Sequence, residues 1–178
     1  PITIWGRGVD RDQFNPKRRN MAWRKQHGIK DDEVAIVFLG RLVLEKGLDV
    51  FAEVLTLVQK QHKNVRPLII GDGPARKHFE SHLKNGVFVG FKEGDELGEA
   101  LASGDVLFNP SETEAFGNVT QEAFSCGLPV VAAAATGATN LIEDGVSGKL
   151  VKPGDFAGYA QALSGYVADP KMRAAHNK

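Results

Sequence analysis

Residues 34–61 read VAIVFLGRLVLEKGLDVFAEVLTLVQKQ, and this stretch decides the fold. Val34 to Leu39 is an apolar run without polar alternation, the pattern of a strand covered on both faces. A loop follows, and from Gly47 to about Gln61 the residues Leu48, Phe51, Leu55 and Val58 recur on one face of a helix. Strand, loop and amphipathic helix form the first part of a βαβ unit. The rhythm continues with Val65 to Ile70, a helix from Ala75 to Leu83, Val87 to Val89, and a helix from Asp95 to Ser103. Val106 to Phe108 comes next, then a helix from Asn118 to Cys126 stopped by Gly127 and Pro129, and then Val130 to Ala133. A short segment, Gly148 to Val151, and a helix from Asp155 to about Val167 complete the pattern. The expected fold class is α/β, a doubly wound parallel sheet that binds its ligand at the carboxyl ends of the strands.

Composition is that of an ordinary α/β domain. The chain has 178 residues, 42% of them hydrophobic, enough for one sizeable core. Lys plus Arg equal Asp plus Glu at 22 each, so net charge calls for neither nucleic acid nor an anionic membrane, and any anion must be held locally. Cys126 is the only cysteine, which excludes an internal disulfide, fits a reducing compartment and reads as a small core residue. No apolar stretch approaches the ~18 residues of a membrane span, and the first residues given show no basic-then-apolar pattern. A cytoplasmic location is expected. The chain starts without an initiator methionine on a short apolar strand, Ile2 to Ile4, as though cut from something longer. Residues 1–15 read as a linker with its leading strand, and residues 16–178 as the domain.

The loops after the strands carry the chemistry, and in a parallel sheet they face one crevice. Residues 109–123 run from Asn109 through Pro110-Ser111-Glu112-Thr113-Glu114-Ala115-Phe116-Gly117 to Glu122-Ala123. Glu114 and Glu122 have seven residues between them, across a glycine that opens a helix. The first amides of that helix, at Gly117, Asn118 and Val119, have no intrahelical partner and suit an anion. Glu122, one turn in, would repel a phosphate, but its acceptor oxygens suit a pair of neighbouring hydroxyls such as a ribose diol. Glu114 suits sugar hydroxyls. In Gly40-Arg41-Leu42-Val43-Leu44-Glu45-Lys46-Gly47, two cations stand at a helix start that already favours negative charge. Arg41 can grip phosphate through its planar fork and Lys46 as a point charge. Gly71-Asp72-Gly73-Pro74 allows close backbone approach, and Gly90-Phe91-Lys92 can meet the edge of a base.

With these loops in order, the chain resembles the C-terminal, nucleotide-sugar-binding half of the retaining glycosyltransferases of group 1, which have the GT-B fold built from two Rossmann-like domains. The resemblance rests on Gly8-Val9-Asp10 with Phe14 and Pro16, Gly40-Arg41 with Lys46, and Gly71-Asp72-Gly73-Pro74. It continues through Pro110-Ser111, Glu114 to Glu122-Ala123, Gly127-Leu128-Pro129-Val130-Val131, and Gly145 with Gly148-Lys149-Leu150-Val151. It implies a UDP-, GDP- or ADP-sugar as donor substrate, with no cofactor and no metal. Arg41 and Lys46 would hold the diphosphate with the amides from Gly117 to Val119, and Glu122 the ribose. Glu114, with the backbone around Ala115 and Phe116, would contact the donor sugar, Gly40 would belong to the same donor site, and Phe91 and Lys92 would neighbour the base. Glu114, Arg41 and Lys46 would then lie closest to the reaction. An N-terminal acceptor domain and a final returning helix are implied partners within the same enzyme, and association of that enzyme with the cytoplasmic membrane face stays open. Thr136-Gly137-Ala138-Thr139-Asn140 departs from the family pattern Gly-Gly-x-Pro-Glu, which puts the identity of the sugar in question.

Other signals have plainer readings. Asp10-Arg11-Asp12 matches a metal-holding Asp-x-Asp pattern, but it follows a Gly-Val turn, and capping explains it better. His78 and His82 share a helix face without the glutamate of a zinc protease, since Phe79 stands there. Lys17, Arg18, Arg19, Arg24 and Lys25, with Trp23 among them, read as a solvated helix face. One rival is an NAD-binding dehydrogenase domain, because Gly71-x-Gly73 follows a strand and Glu93 lies about 20 residues on; Arg76 replaces the third glycine. A nucleotide-sugar epimerase and a binding module without turnover keep the fold and change the chemistry.

Overall fold

The computed structural model describes residues 8–114 and 117–176. The expected strand at Ile2 to Ile4, and Ala115 and Phe116, lie outside the described residues. Six strands form one sheet: β1 Val34–Leu39, β2 Val65–Ile70, β3 Val87–Gly90, β4 Val106–Asn109, β5 Val130–Ala133 and β6 Gly148–Val151. All pairs are parallel, in the order β3-β2-β1-β4-β5-β6. The helices are α1 Met21–Gln26, α2 Leu48–Gln61, α3 Arg76–His82, α4 Gly94–Ala102, α5 Asn118–Ser125, α6 Thr136–Thr139, α7 Phe156–Ala168 and α8 Pro170–Ala175. The doubly wound sheet is therefore present, its elements within a residue or so of those read from periodicity. α6 and α8 were not anticipated; α8 begins where Asp169 caps Lys171 and Met172 and Pro170 takes the first helical position.

The apolar run of β1 has two masters. Val34, Ile36 and Phe38 pack with α2, Phe79 of α3 and Tyr159, Leu163 and Tyr166 of α7. Ala35 and Val37 pack on the opposite side with Ala100 and Leu101 of α4, Ala123 of α5 and Ile29. Side chains of a strand alternate faces, so helices on both sides demand apolar residues at every position. On the first side, Phe51 stacks on Phe108 at 5.3 Å and meets Phe38 and Phe79 edge-on, which fixes α2 across β1 and β4. Pro67 is accommodated inside β2 for a specific reason. Asn64 and Ile70 carbonyls bond to the β1 side, so odd positions turn toward β3, and β3 pairs only from Leu68 onward.

The basic cluster before β1 is not a solvated face throughout. Arg24 is fully buried: Nη1 donates to the Ser103 carbonyl and the Asp105 carboxylate at 2.9 Å, and Nη2 to the carbonyls of Glu33 and Lys30. Arg19 also donates to Asp105, at 2.8 Å. The pair is made across the chain, and no local pattern announces it; Lys17 and Lys25 remain exposed as expected.

The sheet order places β1 beside β4, and from this pair the chain winds outward in opposite directions. The carboxyl ends of β1 and β4 border the crevice at which such sheets bind ligands. The loops carrying Arg41 with Lys46 and Glu114 with Gly117 leave from these two strand ends.

Candidate functional site

Close backbone contacts draw the loops after β1, β2 and β3 into one rim. Gly71 lies so near the end of β1 that a Cβ there would fall 1.9 Å from the Gly40 carbonyl oxygen. Its amide donates to the Gly90 carbonyl, the Leu42 amide donates to the Asp72 carbonyl, and the Ala75 amide to the Leu42 carbonyl. Gly47, at φ 76°, begins α2, and a Cβ on it would meet Pro110 at 3.1 Å. That contact brings Lys46 to the loop after β4, where its Nζ stands 3.6 Å from Glu114 Oε2. From the other side α6 braces the same loop, since a Cβ on Gly137 would lie 2.3 Å from the Glu114 carbonyl oxygen.

α5 begins at Gly117, whose φ of 63° belongs to the left-handed region. No side chain caps this end or the start of α2, so both helices point uncapped first turns toward the crevice. Glu122, partly buried one turn inside α5, has its pKa pushed up to about 7, mainly by loss of water and then by the nearby Glu114 charge. The two acids therefore sense each other and occupy one side of the molecule.

The structure thus brings together Lys46, Glu114, Gly117, Asn118, Val119 and Glu122. Arg41 shares the loop of Gly40 and Lys46; its side chain is exposed and makes no hydrogen bond or ion pair among the described residues. Phe91 follows Gly90 at the end of β3, 70% exposed, while Lys92 is 3.6 Å from Glu96 on α4. Arg76, at the position of the third dinucleotide-site glycine, is held by Glu80 at 2.8 Å and Asp72 at 3.2 Å. Asp10 caps its own turn, accepting from the amides of Asp12 and Gln13. His78 bonds to Asp49 at 2.7 Å and His82 to the His78 carbonyl. Gln121 escaped the sequence reading: it lines a cleft with Glu122, Asn118 and the segment before α1. Its spacing of three residues from Asn118 was the available signal.

The raised Glu122 pKa has a sign that can be tested. Neutral Glu122 is the form the fold favours, so its contribution is complete below the unfolded value near 4.5 and is lost as pH rises through about 7. Urea unfolding should show the parent chain losing about 2 kcal/mol more than Glu122→Gln between pH 5 and pH 8. Parallel curves for the two proteins would place the carboxyl in water.

Over residues 20–178 the chain matches the family described as glycosyl transferases group 1. It is 37% identical to sulfoquinovosyl transferase SQD2 of Arabidopsis thaliana, over 97% of this chain and 34% of that protein. It is 33% identical to a GDP-mannose-dependent alpha-mannosyltransferase of Corynebacterium glutamicum, over 94% of this chain and 40% of that protein. HepE of Anabaena, solved in complex with UDP and glucose, superposes with a TM-score of 0.83 at 27% identity, over 96% of this chain and 48% of HepE. The C-terminal domain of LpcC from Francisella tularensis shares the fold at a TM-score of 0.83 and 24% identity, covering 96% of this chain and 93% of that domain. The chain spans about a third to a half of the length of SQD2, the mannosyltransferase and HepE. No helix among the described residues is long and apolar enough to cross a membrane.

Proposed function

The chain belongs to the group 1 glycosyl transferases, and on that premise we propose that it is the donor half of a retaining, metal-independent enzyme that transfers a sugar from a nucleoside diphosphate. The observation that carries this reading is the meeting of Lys46, Glu114 and Glu122 beside the uncapped start of α5. When a nucleoside diphosphate departs, negative charge develops on its phosphate oxygens. Preorganised cations and amides stabilise that charge without reorganising. Arg41, Lys46 and the amides from Gly117 to Val119 fill this role, while Glu122 takes the ribose hydroxyls. Glu114, held by Lys46, contacts the sugar, and Phe91 and Lys92 border the base. The leaving phosphate then accepts the acceptor proton on the face it vacates, which retains configuration. The residues ahead of Phe14, which itself packs in the core of this domain, serve as the linker to an N-terminal domain that brings the acceptor, so this half binds donor and does not turn it over.

HepE was solved with UDP and the mannosyltransferase uses GDP-mannose, which supports a nucleotide sugar and leaves the base open among uridine, guanosine and adenosine. A dinucleotide reading leaves Lys46, Glu114 and Glu122 without work, and Arg76 fills its third glycine position. Calorimetry in the presence of a chelator should register binding of UDP, GDP or ADP in preference to NADH. Tighter binding of NADH would overturn the donor assignment.

A further inference from the structure

On the flank of the domain, α2 and α3 face each other across a groove of about 490 Å³ lined by Asp49, Ala52, Glu53 and Thr56 of α2 and by His78 and His82 of α3. His78 and His82 stand one turn apart on α3, as Asp49 and Glu53 do on α2, so two imidazoles meet two carboxylates. None of the crevice residues lines this groove, and no lysine or arginine does among the described residues. The two rings lie against each other, their centres 4.4 Å apart and their planes tilted by 43°.

Their hydrogen bonds decide which nitrogens carry hydrogen. His78 Nε2 stands 2.7 Å from Asp49 Oδ1, and a carboxylate only accepts, so Nε2 holds the hydrogen and the lone pair is left on Nδ1. His82 Nδ1 lies 2.8 Å from the His78 carbonyl oxygen and 3.0 Å from Ser81 Oγ, whose own hydrogen goes to that same carbonyl. Nδ1 of His82 therefore donates, and its lone pair is on Nε2. Neither lone pair has a hydrogen-bond partner among the described residues.

Each ring thus has one N–H held by oxygen and the other nitrogen open. That is the state in which histidine ligates a metal ion, because the outer oxygen fixes the tautomer and makes the open nitrogen more basic. Nitrogen stands about 2.0–2.1 Å from zinc, so the ion lies about 3 Å from a ring centre, and two rings sharing it have centres roughly 4 to 6 Å apart. The observed spacing falls in that range. No group of three or more metal-ligating side chains converges among the described residues, so water completes the shell.

We infer that His78 Nδ1 and His82 Nε2 form a site for a divalent transition-metal ion of the zinc class, with Asp49 as the residue that positions His78. Imidazole nitrogen suits such ions and not magnesium or calcium, which take oxygen ligands. An ion there draws electron density from His78 and strengthens its bond to Asp49, which fastens α3, a helix of seven residues, to α2. The site stands apart from the donor crevice and takes no part in sugar transfer, so neither reading depends on the other.

The test titrates the chain, carrying no histidine tag, with Zn²⁺ by calorimetry over excess Mg²⁺. A single ion should bind, and hydrogen exchange in α3 should slow. Asp49→Ala should weaken binding about tenfold, as for loss of an outer partner, and His82→Gln by more. Nitrogen NMR should show Zn²⁺ shifting His78 Nδ1 and His82 Nε2. Absence of binding, affinity unchanged by His82→Gln, displacement by Mg²⁺, or shifts at His27, His62 or His176 instead would each overturn the inference.

Discussion

Asp105→Ala should cost the fold roughly 3 to 5 kcal/mol in urea unfolding, as much as removing a buried aromatic ring from the core. Asp105 starts the approach to β4 and accepts from the Ala35 amide of β1 at 2.7 Å, from Arg24 at 2.9 Å and from Arg19 at 2.8 Å. Arg24 is only 1% exposed as a side chain, so removing its carboxylate leaves a guanidinium charge with neutral carbonyls for company. Breaking one partner of such a pair strands the other, which costs far more than the pair is worth intact. The double change Arg24→Met with Asp105→Ala should therefore lose clearly less than the sum of the two single changes. Because the pair clamps the amino ends of β1 and β4, opposite the crevice, nucleotide affinity of the folded variant should stay within about twofold. A loss under about 1 kcal/mol would show that water reaches Arg24.

Arg41→Ala should weaken binding of the tightest of UDP, GDP and ADP by about 1.5 to 3 kcal/mol, roughly 10- to 150-fold, as expected for a charged hydrogen bond. Arg41 is exposed and uncommitted among the described residues, so it surrenders no partner when it meets a phosphate. Lys46 differs, since its Nζ already faces Glu114. Lys46→Ala should cost less in affinity than Arg41→Ala. It should also raise the Glu122 pKa further, because Glu114 then acts on Glu122 without a nearby cation. Titration of Glu122 by NMR in both proteins reads that second effect. Affinity unchanged by Arg41→Ala would remove Arg41 from the site, and an unmoved Glu122 would mean that Lys46 does not offset the Glu114 charge.

Much of the site was legible because its markers are local. Gly117 before an amphipathic helix announces a helix start whose first amides no side chain caps, and the spacing of Glu114 and Glu122 puts one acid in the loop and one inside the first turns. Asp10 announced its capping role in the same way. The cleft of Gln121, Val9 and Phe14 was not legible, since its two walls are more than a hundred residues apart in the chain. Arg24 misled for the same reason. Its neighbours Lys17 and Lys25 are exposed, and Ser103 and Asp105, arriving from elsewhere, turn it inward together with the Lys30 and Glu33 carbonyls.

The amino-acid sequence by itself determined the alternation of strands and helices, the covering of the sheet on both faces and the residue types that each loop presents. Periodicity and glycine act over a few residues, so these properties survive without any knowledge of what lies across the sheet. Only the tertiary structure decided that β1 and β4 are neighbours, that Lys46 reaches Glu114 and that Glu122 loses its water. Those outcomes depend on distance and desolvation between segments remote in sequence, and the packing of the two cores sets both.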